Sequence, residues 1–216
     1  MYKGKGQLSM PTTSDVINQH DSTTKIDAEH RETTTRDGNI VDGPHSATIH
    51  RIGGSASRRA ELLAARLEEG AAGLAAFAEG LSGAEWSRPV SATDQRSVGV
   101  VVHHVASMYP IEMDVARAIA CGNSVSDVTW EVVAQLNAKH AQDNAQVSKS
   151  TALELLRQNS REAATAVRAF TDQDLDNAAP FSLSFGAPVT AQFVIEDHAM
   201  RHSWHHLAAI RKALGR

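Results

Sequence analysis

Cysteine is almost missing from this chain: Cys121 is the only one in 216 residues. A lone cysteine excludes a disulfide framework and any zinc site built from thiolates. A basic excess is missing too. The formal net charge is -4, which leaves no electrostatic footprint for nucleic acid and no basic patch for an anionic membrane. No apolar run approaches the ~20 residues that a bilayer-spanning helix needs. The opening stretch MYKGKGQLSMPTTSD has no apolar core of the kind an export signal carries, so the expectation is a cytoplasmic protein. What remains is ordinary for a globular protein, with 42% apolar and 21% charged residues. The length suits one domain with a real core, or two small ones.

Residues 1–56 differ from the rest. DSTTKIDAEHRETTTRDGNIVDGPHS is rich in Thr, Asp, Arg and Gly, with single scattered apolar residues. It sustains neither a 3.6 nor a 2.0 period, so it cannot bury enough surface to order itself. The expected organisation is a disordered N-terminal tail, 1–56, and a folded domain, 57–216. A true disordered arm and an upstream extension from a misassigned start codon both fit the tail. RIGGSAS at 51–57 has two glycines but no preceding strand and no Gly-Lys-Ser after it, so it is no phosphate loop.

From Arg58 the pattern is helical. Leu63, Leu67, Leu74, Phe77 and Leu81 fall at helical spacing among alanines. SGAEWSRPVSATDQR breaks the run. A second helix starts near Asp94 or Ser97, either of which can cap it. Along it Val100, His104, Met108, Ile111 and Val115 share one arc, and Pro110 is placed to kink it. A shorter helix is expected in SDVTWEVVAQLNAKHAQDNA. Thr151 and Glu154 fit a capping box for the next long one. In PFSLSFGAPVT the alternating Phe181, Leu183 and Phe185 read as an extended connection. A last helix is expected from about Thr190 to Leu214. Four long helices, one shorter one and no sheet make an all-α four-helix bundle the economical fold, with a long link after the second helix that can cross over.

Histidine is plentiful where cysteine is not. The chain has 11, and His198, His202, His205 and His206 crowd one short stretch. On a helix His202 and His206 lie one turn apart, about 40° around the axis from each other. They fall among Ile195, Ala199, Ala209 and Ala213, so the pair reads either as satisfied core polar residues or as a metal chelate. Phe193, Met200, Trp204 and Leu207 form an opposite apolar stripe, fit for another helix or for a dimer face. On the second helix His104 shares the apolar arc. His103 falls with Ser107 and Asp114 on a polar side. One inward imidazole there and two on the last helix could meet on one ion, and three neutral ligands leave coordination positions open for chemistry. His140 reads as a helix-surface or core-edge residue.

At this point SVGVVVHHVASM and EDHAMRHSWHHLAAIRKAL resemble the DinB/YfiT-like superfamily of bacterial metalloenzymes. Its V-G-x-x-x-x-H run is matched by Val98, Gly99 and His104, and its H-x-x-x-H by His202 and His206 with Ile210. The likeness covers roughly residues 58–216. It departs at Leu207-Ala208-Ala209, where a small residue and glutamine are more usual, and His103, His198 and His205 crowd the matched set. The resemblance implies a four-helix bundle, a divalent metal (Zn, Ni, Fe or Mn) on His104, His202 and His206, and often a homodimer. Several members are transferases or isomerases that use a low-molecular-weight thiol such as mycothiol, bacillithiol or glutathione.

The function expected from this pattern is metal-dependent transfer of such a thiol to an electrophilic small-molecule substrate. A metal-hydroxide hydrolase on the same site is the rival enzyme reading, and a non-catalytic metal-binding stress-response bundle is the rival outside enzymology. Arg201 and Arg211 flank the site helix, free to bind a carboxylate or simply solvated. His198, His205 and His140 are candidate general bases. No nucleophile-elbow motif is present.

Overall fold

Helix α1 begins at Arg58 because Ser57 caps it, accepting the amide of Ala60. The computed structural model describes residues 57–216, so the predicted tail, 1–56, lies outside the described residues. The elements are α1 (Arg58–Glu79), α2 (Gly83–Trp86), α3 (Val98–Ala120), α4 (Trp130–Asp143), α5 (Lys149–Arg168) and α6 (Asp172–Asp176). They are followed by a two-stranded antiparallel hairpin, β1 (Ala178–Pro180) and β2 (Pro188–Thr190). The last rod is α7 (Ala191–Val194), a π turn (Ile195–Met200) and α8 (Arg201–Leu214). No described helix is long and apolar enough to cross a membrane.

The four-helix bundle is all-α apart from the hairpin. Helix α1 packs on α5 and α8, and α3 packs on α5 and the last rod. Around the bundle the order is therefore α1, α5, α3, α8. The crossovers fall at the links from α1 to α3 and from α5 to the last rod, whereas α3 and α5, joined by the long link carrying α4, are neighbours.

Local details depart from the sequence pattern in instructive ways. Ser97, not Asp94, caps α3. Asp94 instead clamps the Arg96 guanidinium, with contacts of 2.7 and 2.9 Å. Helix α5 starts at Lys149, capped by Ser148, so Thr151 is its third residue and donates its amide to Ser148. The predicted extended connection folds back as the hairpin, with Phe185 at its tip in the left-handed region (φ 58) and Phe181 buried. The buried row of α3 is Val105, Tyr109, Glu112, Ala116 and Ile119. Val100 and His104 are buried as expected, but Met108, Ile111 and Val115 are only half-buried. A helix this apolar all round offers several arcs at once, and only its neighbours select among them.

Two contacts explain residues that sequence alone leaves puzzling. Pro110 has no N–H, so the carbonyl of Ala106 one turn back loses its helical partner. Asn159 of α5 supplies one, donating Nδ2–H to that oxygen at 2.8 Å. Asn159→Leu should therefore cost about 1–3 kcal/mol, the price of a buried carbonyl left unpaired. Urea unfolding checks this, and a loss below about 0.5 kcal/mol would refute it. Gly99, the glycine of the V-G-x-x-x-x-H run, lies against Trp86: a Cβ there would stand 2.4 Å from the indole nitrogen. That indole in turn donates to the carbonyl of Val147.

Candidate metal centre

The site stands where the neighbouring helices α3 and α8 face each other. From α3 comes His104, which is 6% exposed. From α8 come His202 and His206, one turn apart as their spacing requires. They flank the buried row of Ser203, Leu207 and Ile210 rather than lying in its middle. Leu207, assigned by periodicity to the opposite apolar stripe, thus belongs to the core. A 100° count carried from Ile195 and Ala199 to the histidines does not hold, because the π turn at Ile195–Met200 comes between. Within that stripe Phe193 and Trp204 stay largely exposed, with Trp204 packed over Gly70 of α1.

Each of His104, His202 and His206 offers one ring nitrogen, and the three nitrogens lie within 4.8 Å of one another. Ring centroids are 5.0 Å apart for His104 and His202, 5.7 Å for His104 and His206, and 4.9 Å for His202 and His206. Burial, reinforced by the neighbouring imidazoles, pushes His104 down to about 2 and His206 down to about 3. Both are therefore neutral at physiological pH and present lone pairs. That is the state a divalent cation requires of imidazole. His202 makes a 2.7 Å contact from Nδ1 to Oε1 of the buried Glu112, which leaves its Nε2 unengaged. Among the described residues this is the one group of three or more potential ligand side chains so gathered. The donor set fits a metal ion: three imidazole nitrogens in reach of one another, and a carboxylate behind one of the rings.

Three further residues crowd the centre. His103 and His140, expected on a polar side and at a helix edge, meet each other instead. His103 Nδ1 and His140 Nε2 are 2.9 Å apart, the rings stack at 5.1 Å, and His140 lies edge-on to His104 at 5.5 Å. Burial lowers the pKa of both. The other nitrogen of His140, Nδ1, is buried with no partner among the described residues. Ser107 Oγ sits within 3.4 Å of both rings and donates to the carbonyl of His103 at 2.8 Å. Of the crowding histidines on the last rod, His205 is exposed, and His198 packs edge-on to Phe181. The expected flanking arginines are engaged elsewhere: Arg201 pairs with Asp197, and Arg211 lies over the ring of Phe77.

Glu112 escaped the sequence reading. Its signal was there, because it occupies the buried row of α3 at the spacing 105, 109, 112, 116, 119. An acid in such a row needs a partner, and that partner is on a different helix.

Residues 66–210 match the model of the DinB superfamily. A similar solved structure is that of YfiT from Bacillus subtilis, described as a probable metal-dependent hydrolase with an unusual four-helix bundle topology. It is 20% identical, with a TM-score of 0.60, and the match covers 74% of this chain and 89% of that one. At that identity the likeness speaks for the fold. No curated protein matches the chain.

Proposed function

The chain belongs to the DinB superfamily, and from that premise we propose that it is a divalent-metal-dependent enzyme whose ion sits on His104, His202 and His206. The observation that carries the reading is the convergence of three imidazoles from two separate helices. A divalent ion held there, Zn, Ni, Fe or Mn, supplies Lewis acidity that lowers the pKa of a small nucleophile brought to it. The residues contribute a fixed triangle of donors and a largely buried surround that strengthens electrostatic interactions. In the tautomer in which His140 Nε2–H donates to His103 Nδ1, His140 Nδ1 is a free acceptor one ring away from His104, placed to take a proton.

The nucleophile proposed is a low-molecular-weight thiol of the mycothiol, bacillithiol or glutathione kind, delivered to an electrophilic small molecule. Cys121 is exposed at the far end of α3 and takes no part. A second reading, hydrolysis with water as the nucleophile, is favoured by the description of the B. subtilis YfiT structure. The two separate in a thermal-shift screen. For the transferase, a thiol raises the melting temperature of the metal-loaded protein and leaves the metal-free protein unmoved. If no thiol does so, the hydrolase reading takes its place. Chelation should abolish turnover and spare the helical circular-dichroism signal, whereas helices that melt with the metal would mark a purely structural ion. A homodimer through the face bearing Phe193 and Trp204 is also proposed, tested by sedimentation of the wild type against Trp204→Ser.

A further inference from the structure

Glu112 is the one buried carboxylate among the described residues. Its side chain is 7% exposed, its one ion-pair partner is His202, and Oε2 has no partner at all. A carboxylate desolvated this far, facing no Lys or Arg, is a liability to a fold. An apolar residue at this position of the α3 row would pack without that penalty. The carboxylate therefore calls for a role outside stability, and its single good contact shows where that role lies. Oε1 stands 2.7 Å from Nδ1 of His202. A carboxylate there selects the tautomer with hydrogen on Nδ1, fixes the ring plane and raises the basicity of Nε2. Helix α3 thus supplies His104 directly and, two turns further on, reaches across to orient the imidazole that α8 brings.

We propose that Glu112 is a positioning residue of the metal centre, holding His202 with Nε2 turned toward His104 and His206. Negative charge on the far side of the ring also complements a cation on the near side. The inference rests on the proposed reading of the three-histidine site. Its test is calorimetric titration of untagged full-length protein with Zn²⁺, comparing wild type, Glu112→Leu and Glu112→Gln. The Leu variant should bind Zn²⁺ about 10- to 100-fold more weakly. Its metal-free melting temperature should hold or rise, since an orphaned oxygen is removed and the His202 ring, 16% exposed, keeps access to water. The Gln variant retains an acceptor for Nδ1–H and should recover part of the lost affinity. An affinity for the Leu variant within about threefold of wild type overturns the role, as does a fall in metal-free stability in both variants, which would make Glu112 a structural residue. If the wild type itself binds no Zn²⁺, the three-histidine reading falls and this inference falls with it; if only the variants are unaffected, this inference falls alone.

Discussion

His202→Ala is expected to weaken divalent-metal binding by more than about 100-fold, a larger loss than a supporting residue produces. The reason is geometric. His104 and His206 would remain, but they come from different helices and their ring centroids are 5.7 Å apart. Two monodentate imidazoles compete poorly with water for an ion that three had held. His104→Ala should do the same, with an added packing cost because that ring is buried. His205→Ala is the control: the residue is exposed and outside the gathered set of three, its ring meeting that of His206 only edge-on at 5.2 Å, so affinity should stay within about threefold of wild type. Helicity should be unchanged in all three variants. Metal content by elemental analysis, on protein purified without a histidine tag, reads the result directly. A His202→Ala protein that keeps wild-type affinity would remove the site, and a large loss in His205→Ala would move it outward on α8.

Lowering the pH from about 6 to about 4 should strip the metal-free protein of much of its stability through its buried histidines. Burial depresses His104 to about 2 and His206 to about 3 in the folded state, while in the unfolded chain both titrate near 6.5. Below pH 6.5 the unfolded chain takes up protons that the folded one refuses, so stability falls as pH falls, down to the folded values. Each group contributes about 1.4 kcal/mol per pH unit in that window. Together they remove about 5 kcal/mol between pH 6 and pH 4, comparable with the whole stability of a small domain. Above pH 6.5 both states are neutral at these positions and the curve should flatten. Denaturant melts at half-unit steps of pH measure the slope. The same series on a His104→Phe, His206→Leu double variant should be clearly shallower over that range, keeping only the part that the other buried imidazoles, His103, His140 and His198, contribute. An equal slope in wild type and double variant would assign the acid lability to other groups.

The helices of the bundle were legible in the sequence because helix formation depends on spacing within one segment. The starts at Arg58 and near Ser97, the short helix after Thr129 and the end at Leu214 all follow from local periodicity and caps. The start of α5 lies three residues before the one the sequence suggests, because Ser148 and Thr151 both suit a cap and the choice depends on how the chain enters the helix. The hairpin was missed since its strands are three residues long, too short for any alternation to show. His202 and His206 were recognisable as a pair for the same local reason that made the helices legible.

Everything that turns that pair into a centre was decided by tertiary structure. The sequence by itself determined that α8 carries two imidazoles one turn apart and that α3 carries one on a buried side. It held no information on which helices are neighbours. The order α1, α5, α3, α8, with its crossovers, is what sets His104 against His202 and His206. The same packing put Glu112 behind His202, His140 against His103, and Asn159 under the carbonyl that Pro110 left bare. Each of these contacts joins residues 37 or more positions apart in the chain. Spacing along a helix constrains only residues a few positions apart; which faces meet is settled by the collective burial of the whole core, a property no single segment contains.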